Sequence, residues 1–426
     1  MADSREKDTL LEGCRVLDLT NERGLLCGKI LGDFGADVIK IEPPGGDPAR
    51  NIGPFYHDII HPEKSLFWYA FNTSKRSITL NIETADGWDI FKRLVKTADF
   101  VIESFDPSYM DSLGLGYAVL EQMNPRIIMT SITPFGQEGP HAQFKGSDMI
   151  PWAMGGFMYL CADREPGSPY RVNPPQSYRQ ASLHAAMASM IAHYYREATG
   201  EGQHLDVSMQ QATIGFLSNA VEVWDLYRMN IRGAGPGAMI ARPTPPGSLK
   251  VRYHWPCKDG YVNFYAVVGG IVSLSISSKA MVEIADREGM AGPLKDYDWA
   301  SFDLTKISQE EYNRIEDVFL NFFRTKTKQE LYSEAIKKGI VCCPLNTSED
   351  IVKSPQLEAR GYFIKIDHPE LGDTITYPGA PVKLSDSPWL VKRRPPLIGE
   401  HNEEIYVKEL GFSKEELIIL KGAKVI

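Results

Sequence analysis

The chain has 426 residues, a formal charge of −9, 43% apolar and 24% charged residues, a length that suits two or three domains rather than one core and a composition typical of globular proteins. The acidic balance, with no basic cluster interleaved with aromatics, argues against nucleic acid as the main partner. No apolar run is long enough for a bilayer, and the polar opening "MADSREKDTLLEGC" is unlike a secretory signal, so a cytoplasmic protein without a membrane partner is expected.

"CRVLDLT" (14–20) reads as a buried strand, a short apolar run with β-branched residues. "NERGLLCGKILGDFGA" (21–36) follows as a helix, with Gly35 where a stop is expected, and "DVIKIEPP" (37–44) as a second strand closed by prolines. This β-α-β unit is the building block of parallel sheets. "SKRSITLNI" (74–82) gives another strand. "ETADGWDIFKRLVKTA" (83–98) gives an amphipathic helix with Trp88, Phe91, Leu94 and Val95 on one stripe. "DFVIES" (99–104) and "RIIMTSIT" (126–133) continue the alternation, so the N-terminal part is an α/β open sheet with a Rossmann-like layout. The turn after the first strand is "TNERG" rather than GxGxxG, and GxxxxGKS/T is absent, which speaks against dinucleotide and nucleotide triphosphate sites.

Further on, "RQASLHAAMASMIAHYYR" (179–196) is a long alanine-rich helix, and "TGEGQHLDVSM" (199–209) turns back into a strand. The stretch 232–248 is rich in Gly and Pro and reads as a linker or loop. "YHWPCKDGYVNFYAV" is β-like, residues 308–339 are a pair of helices, and the tail from Pro395 holds a loop and two short helices.

The six cysteines are Cys14, Cys27, Cys161, Cys257, Cys342 and Cys343. None forms a CxxC pair and HExxH is absent, so no metal is expected. Adjacent cysteines bridge each other only with strain, and free cysteine is often buried. Cys342 and Cys343 are therefore read as structural.

From "LGDFGADVIKIEPPGGDPAR" onward the chain resembles a family III (CaiB/BaiF-type) CoA-transferase. The likeness continues through "NTSKRSITLNI", "SITPFGQEGP", "REATGEGQHLDVSM", "EARGYF" and "PPLIGEH" in the family order. The resemblance implies a Rossmann-like large domain built from both termini, residues 1–225 and 341–426, and a smaller central domain, residues 226–340. It also implies an interlocked dimer, each active site lying between the large domain of one chain and the small domain of the other. The family nucleophile is an aspartate that attacks an acyl-CoA thioester, forms a mixed anhydride and passes through an aspartyl-CoA thioester. It sits at the start of the alanine-rich helix, about five turns before Arg196, where a helix N-terminus suits an anion.

That count lands on Ser177 or Tyr178, and neither is acidic. A serine nucleophile would need a base, for which His184 is the nearby candidate. Displaced carboxylates would be Asp148 or Glu165. Two positions where the family carries basic residues toward the CoA phosphates are Asp106 and Ser112 in "ESFDPSYMDSLG" (103–114), so attraction is lost there. Lys40, Asn72, Lys75 and Arg76 match the family's adenine and phosphate region and are candidates for residual CoA contacts. For Lys75 and Arg76 an ordinary solvated strand entry is the alternative.

The resemblance thus implies a subunit with no nucleophile at the degenerate position, Tyr178, and a paralogous partner carrying the aspartate. CoA is a substrate, moved from succinyl-CoA, and no tightly bound cofactor is expected. Family members built from two unlike subunits suggest (R)-2-benzylsuccinate of anaerobic toluene degradation as the acceptor. "DMIPWAMGGFMYL" (148–160) would suit an aromatic acyl group, or a plain core helix. Two alternatives stay open. One is an active homomeric CoA-transferase or acyl-CoA isomerase or racemase with displaced residues. The other is a non-enzymatic acyl-CoA-binding or scaffold protein.

Overall fold

The first strands, β1 (Arg15–Leu19) and β2 (Asp37–Glu42), are buried almost throughout, as expected of parallel strands covered on both faces. Between them lies α1 (Leu25–Asp33). It starts later than the apolar pattern suggests, because Asn21 closes a turn by accepting the Gly24 N–H at 2.9 Å. A Cβ on Gly28 would lie 2.3 Å from the Asp18 carboxylate, so glycine is what lets α1 approach β1 this closely. The chain continues through α2 (Leu66–Phe71), β3 (Lys75–Thr79), α3 (Ala85–Val95), β4 (Phe100–Glu103), α4 (Tyr109–Ser112), α5 (Tyr117–Met123) and β5 (Ile128–Thr133). Then come α6 (Met149–Met154), α7 (Phe157–Leu160), α8 (Ser177–Thr199), β6 (Gln203–Ser208) and α9 (Met209–Ile214).

The six strands form one parallel sheet in the order β3-β2-β1-β4-β5-β6. The structure is a computed structural model and describes residues 9–161, 172, 174–231, 238–242, 249–266, 272–299 and 307–426.

The chain divides into two compact units, Met1–Gly155 with Val172–Phe216 and Pro355–Ile426, and Gly156–Arg171 with Leu217–Ser354. The first holds the sheet. On one face Leu17, Ile39, Val101 and Met129 meet α3 and the C-terminal segment. On the other, Val16, Val38, Ile102 and Ile128 meet α1 and the small residues of α8, among them Ala181, Ala185 and Ala192. Alanine at these positions lets a 23-residue helix lie close to the sheet. Its opposite face leaves Leu183, Met187, Ile191, Tyr194 and Tyr195 exposed.

The second unit contains α10 (Ala220–Tyr227), β7 (Ala238–Arg242), β8 (Leu249–Arg252), β9 (His254–Cys257), β10 (Gly260–Phe264), α11 (Val272–Arg287), α12 (Gln309–Phe323), α13 (Lys328–Lys338), β11 (Cys342–Pro344) and α14 (Ser348–Val352). Trp255, Phe264, Phe319 and Phe323 form its aromatic centre, with Trp255 edge-on to Phe323 at 5.5 Å. β11 pairs antiparallel with β10, which ties residues 342–344 to this unit and not to the C-terminal part. The unit also takes α10, so its limits fall at 216/217 and 354/355 where the sequence reading placed them after 225 and 340.

The first unit then resumes with α15 (Pro355–Ala359), β12 (Phe363–His368), β13 (Asp373–Pro378), a π-type turn over Glu403–Glu409 and α16 (Lys414–Gly422).

Two local expectations change. Residues 148–160 form two short helices instead of one, because Gly156 adopts φ +84° and breaks the run; Trp152 is buried while Met149 and Met154 are exposed. Within 232–248, residues 238–242 form a strand; the rest of that stretch lies outside the described residues.

Candidate active site region

In the parallel sheet β1 and β4 are neighbours, and the crossovers leave β1 in opposite directions. Ligand crevices in open α/β sheets lie at such a switch point, beyond the C-terminal ends of the strands. A cavity of about 510 Å³ opens there, lined among others by Leu19, Asn21, Pro43, Phe105 and Tyr109. Among the described residues that line it, Lys424 is the one cation and Asp47 and Glu83 are the acids.

Below this edge Asp18, Lys40 and Lys75 form a buried charge cluster. Lys75 Nζ lies 2.8 Å from Asp18, donates to the Leu25 carbonyl at 2.8 Å and to Asn72 at 2.9 Å. Lys40 Nζ pairs with Asp47 at 2.9 Å and donates to the Thr20 carbonyl. Burial alone would raise the Asp18 pKa, but Lys75 and Lys40 outweigh it and hold the carboxylate below its ordinary range. Arg76 grips Asp37 with two bonds of 2.8 and 2.6 Å, and reaches Glu404 and Glu409 at 2.8 and 2.6 Å, which ties β3 to the C-terminal segment. Lys40, Asn72 and Lys75 are 0% exposed and Arg76 5%. The four candidates for residual CoA contact thus have their polar ends taken by protein groups. Nor is this a solvated strand entry. The position of each on a fully covered strand or helix end, which the motif does not reveal, sets its surroundings.

At the start of α8 Ser177 is fully buried, its hydroxyl donating to the Asp148 carboxylate at 2.8 Å. The same carboxylate accepts the Ser177 N–H at 2.8 Å and the Tyr178 N–H at 3.3 Å. An aspartate from a distant segment therefore caps the helix. Tyr178 is half-buried; the space left beside it among Leu25, Phe67 and Phe71 is about 10 Å³, no more than one water. Burial, then Glu22, raises its hydroxyl pKa. His184 donates its ring Nδ1–H to the Gln180 carbonyl at 2.9 Å and lies edge-on to Phe216, so this hydrogen bond does not serve Ser177. Glu165 lies outside the described residues.

The profile of CoA-transferase family III matches residues 11–402. The chain belongs to that family. It is 35% identical, over 95% of both chains, to "Succinyl-CoA:(R)-benzylsuccinate CoA-transferase subunit BbsE" of Thauera aromatica. It is 32% identical to a formyl-CoA:oxalate CoA-transferase of Streptomyces coelicolor, over 98% of this chain and 99% of that one. A solved CAIB/BAIF family protein from Brucella suis superimposes with a TM-score of 0.78 at 29% identity, over 94% of this chain and 100% of the other.

As a family III member the chain places Asp106 and Ser112 on the segment after β4. Asp106 is exposed and pairs with Arg23 at 3.4 Å, while the Ser112 hydroxyl donates to the Tyr109 carbonyl at 2.7 Å. Arg196 of the "REATGEGQ" motif is 1% exposed and anchors α8 through Asp99 at 3.2 Å and the Arg126 carbonyl at 3.2 Å. Sequence reasoning missed Arg23 and Glu103, since neither stands in a recognised pattern; only the topology brings them to the switch point.

Of the cysteines, Cys342 is buried and burial pushes its thiol up to about 12, whereas Cys343 is exposed. Consecutive residues of a strand face opposite sides, so the pair does not share one environment. No group of three or more potential metal ligands occurs among the described residues, and no helix there is long and apolar enough to cross a membrane.

Proposed function

We propose that this chain is a non-catalytic subunit of a heteromeric family III CoA-transferase. The observation that carries the reading is the N-terminus of α8, where Ser177 and Tyr178, the residues on which the family spacing lands, are not acidic and the nearby carboxylate, Asp148, is spent on capping the helix. A phenol does not perform the anhydride chemistry of a carboxylate. The aspartate comes from a paralogous partner chain, and the two chains interlock in the cytoplasm. The exposed stripe of Leu183, Met187, Ile191 and Tyr194 on α8 is the surface assigned to that partner, since a stripe of this kind marks a protein contact more often than a bare surface. CoA moves from succinyl-CoA to a carboxylic acid, with (R)-2-benzylsuccinate of toluene degradation as the acceptor; the 35% identity to a protein named as a subunit of that enzyme supports the choice. Lys40, Asn72, Lys75 and Arg76 hold the sheet edge beneath the CoA groove rather than touch the ligand.

A second reading, an active homomeric enzyme, is favoured by one observation: Asp148 does put a carboxylate at the N-terminus of α8. One experiment separates the two. The purified chain alone, given succinyl-CoA and (R)-2-benzylsuccinate, is expected to transfer no CoA, and to do so once the aspartate-bearing paralogue is added. Transfer by the isolated chain refutes the subunit reading, and its loss in Asp148→Asn would then assign the chemistry to Asp148.

A further inference from the structure

We infer that Arg23 is an oxyanion-binding residue of this chain, and that Asp106 is an internal anion occupying it until an external carboxylate or phosphate takes its place. The turn between β1 and α1 holds Arg23 firmly. Its N–H donates to the Asn21 side chain at 3.2 Å, its carbonyl accepts from Ser182 at 3.3 Å, and Asn21 is itself fixed to Ser104 at 2.9 Å. The side chain is 19% exposed, yet it is poorly matched. Nη1 reaches the Ser104 carbonyl at 3.5 Å and Asp106 at 3.4 Å, both at the outer limit of a hydrogen bond. Nε is buried and has no acceptor.

A guanidinium has five N–H donors, and buried donors are nearly always satisfied. The same unit shows what a settled arginine looks like. Arg50 binds Glu42 at 2.6 and 2.8 Å, and Arg76 binds Asp37 at 2.8 and 2.6 Å. Arg23 has nothing comparable. Its partner Asp106 has a side chain 55% exposed on a loop, so turning it into solvent costs little. Displacement leaves a fixed fork at the switch point, within electrostatic reach of Tyr178, and a planar fork fits a carboxylate or phosphate with two parallel bonds.

The family reading supplies only the two sources of such an anion, the acceptor acid and the CoA phosphates. Calorimetric titration of the full chain with succinate and, separately, with 3′,5′-ADP distinguishes them. Removing the competing carboxylate in Asp106→Asn is expected to tighten one of the two by about tenfold, the worth of one modest charge-assisted bond. Arg23→Gln should abolish that binding in either background. Arg23→Lys should fall between, because an ammonium keeps the charge and loses the fork; it carries the test if the glutamine variant does not fold. Equal binding by wild type and Asp106→Asn, binding of neither anion by Asp106→Asn, or undiminished binding by Arg23→Gln overturns the inference. The measurement needs no partner and no turnover. An active isolated chain would leave it standing, and a null titration would leave the subunit reading untouched.

Discussion

Glu103 ends β4 and is 3% exposed. It accepts the Phe105 N–H at 2.7 Å, and Ser131, which bonds it, lies 2.9 Å from His204. Burial lifts its pKa from 4.5 to about 7; the Ser131 and Phe105 bonds pull it down, and Asp206 and Asp111 push it up. The folded chain therefore holds this proton more tightly than the unfolded chain. Below about pH 4.5 the group is protonated in both states and contributes nothing to the difference. As pH rises toward about 7 the unfolded state gives up the proton first, so stability falls, and above that the full cost remains. Glu103→Gln should thus stabilise the protein at pH 8 by on the order of 2 kcal/mol and change little at pH 5. Urea midpoints at the two pH values check it. Equal effects at both would mean the carboxyl is ionised throughout.

At the scale of the element, β11 shows what a strand does to adjacent residues. Cys342 points into the core with Phe264 and Leu331, while Cys343 points out. Cys342→Ser buries a hydroxyl in an apolar site and should cost about 1–3 kcal/mol. Cys343→Ser should stay within about 0.5 kcal/mol. Iodoacetamide should modify Cys343 well before Cys342, whose thiol is held protonated by burial. Mass spectrometry after timed labelling reads the order, and parallel melting curves read the costs. The adjacency of the pair was plain in the sequence, but their difference was not, because it needed β11 to be recognised as a three-residue strand on the edge of the small sheet.

For the whole molecule the question is whether one residue separates this chain from an active relative. Tyr178→Asp is expected to restore no CoA transfer to the isolated chain. The new carboxylate would compete with Asp148, which already accepts the Ser177 and Tyr178 N–H groups at 2.8 and 3.3 Å, and would stand near Glu22. Asp148 already occupies the N–H groups of this helix end, so the new carboxylate would meet like charge there instead of free donors. Among the described residues that line the groove beyond β1 and β4, Lys424 is the one cation. Turnover by Tyr178→Asp, followed as CoA exchange from succinyl-CoA, would show that the remaining site is intact.

The alternation of apolar strands and amphipathic helices was enough to read an open α/β sheet, because period and burial are local properties. The motif spacing was likewise enough to place Ser177 and Tyr178 at the head of the alanine-rich helix. Three things needed the tertiary structure. Lys40, Lys75 and Arg76 look alike in sequence as strand-borne cations, yet buried Asp18 and Asp47 claim the two lysines, and the more exposed Asp37 and Glu409 claim the arginine. Asp148 is 29 residues from Ser177, and only the packing of α6 against α8 makes it that helix's cap. Arg23 and Asp106, 83 residues apart in the chain, meet because β1 and β4 are neighbours in the sheet. Side-chain charge is a property of the sequence, but the partner that neutralises it is set by strand order.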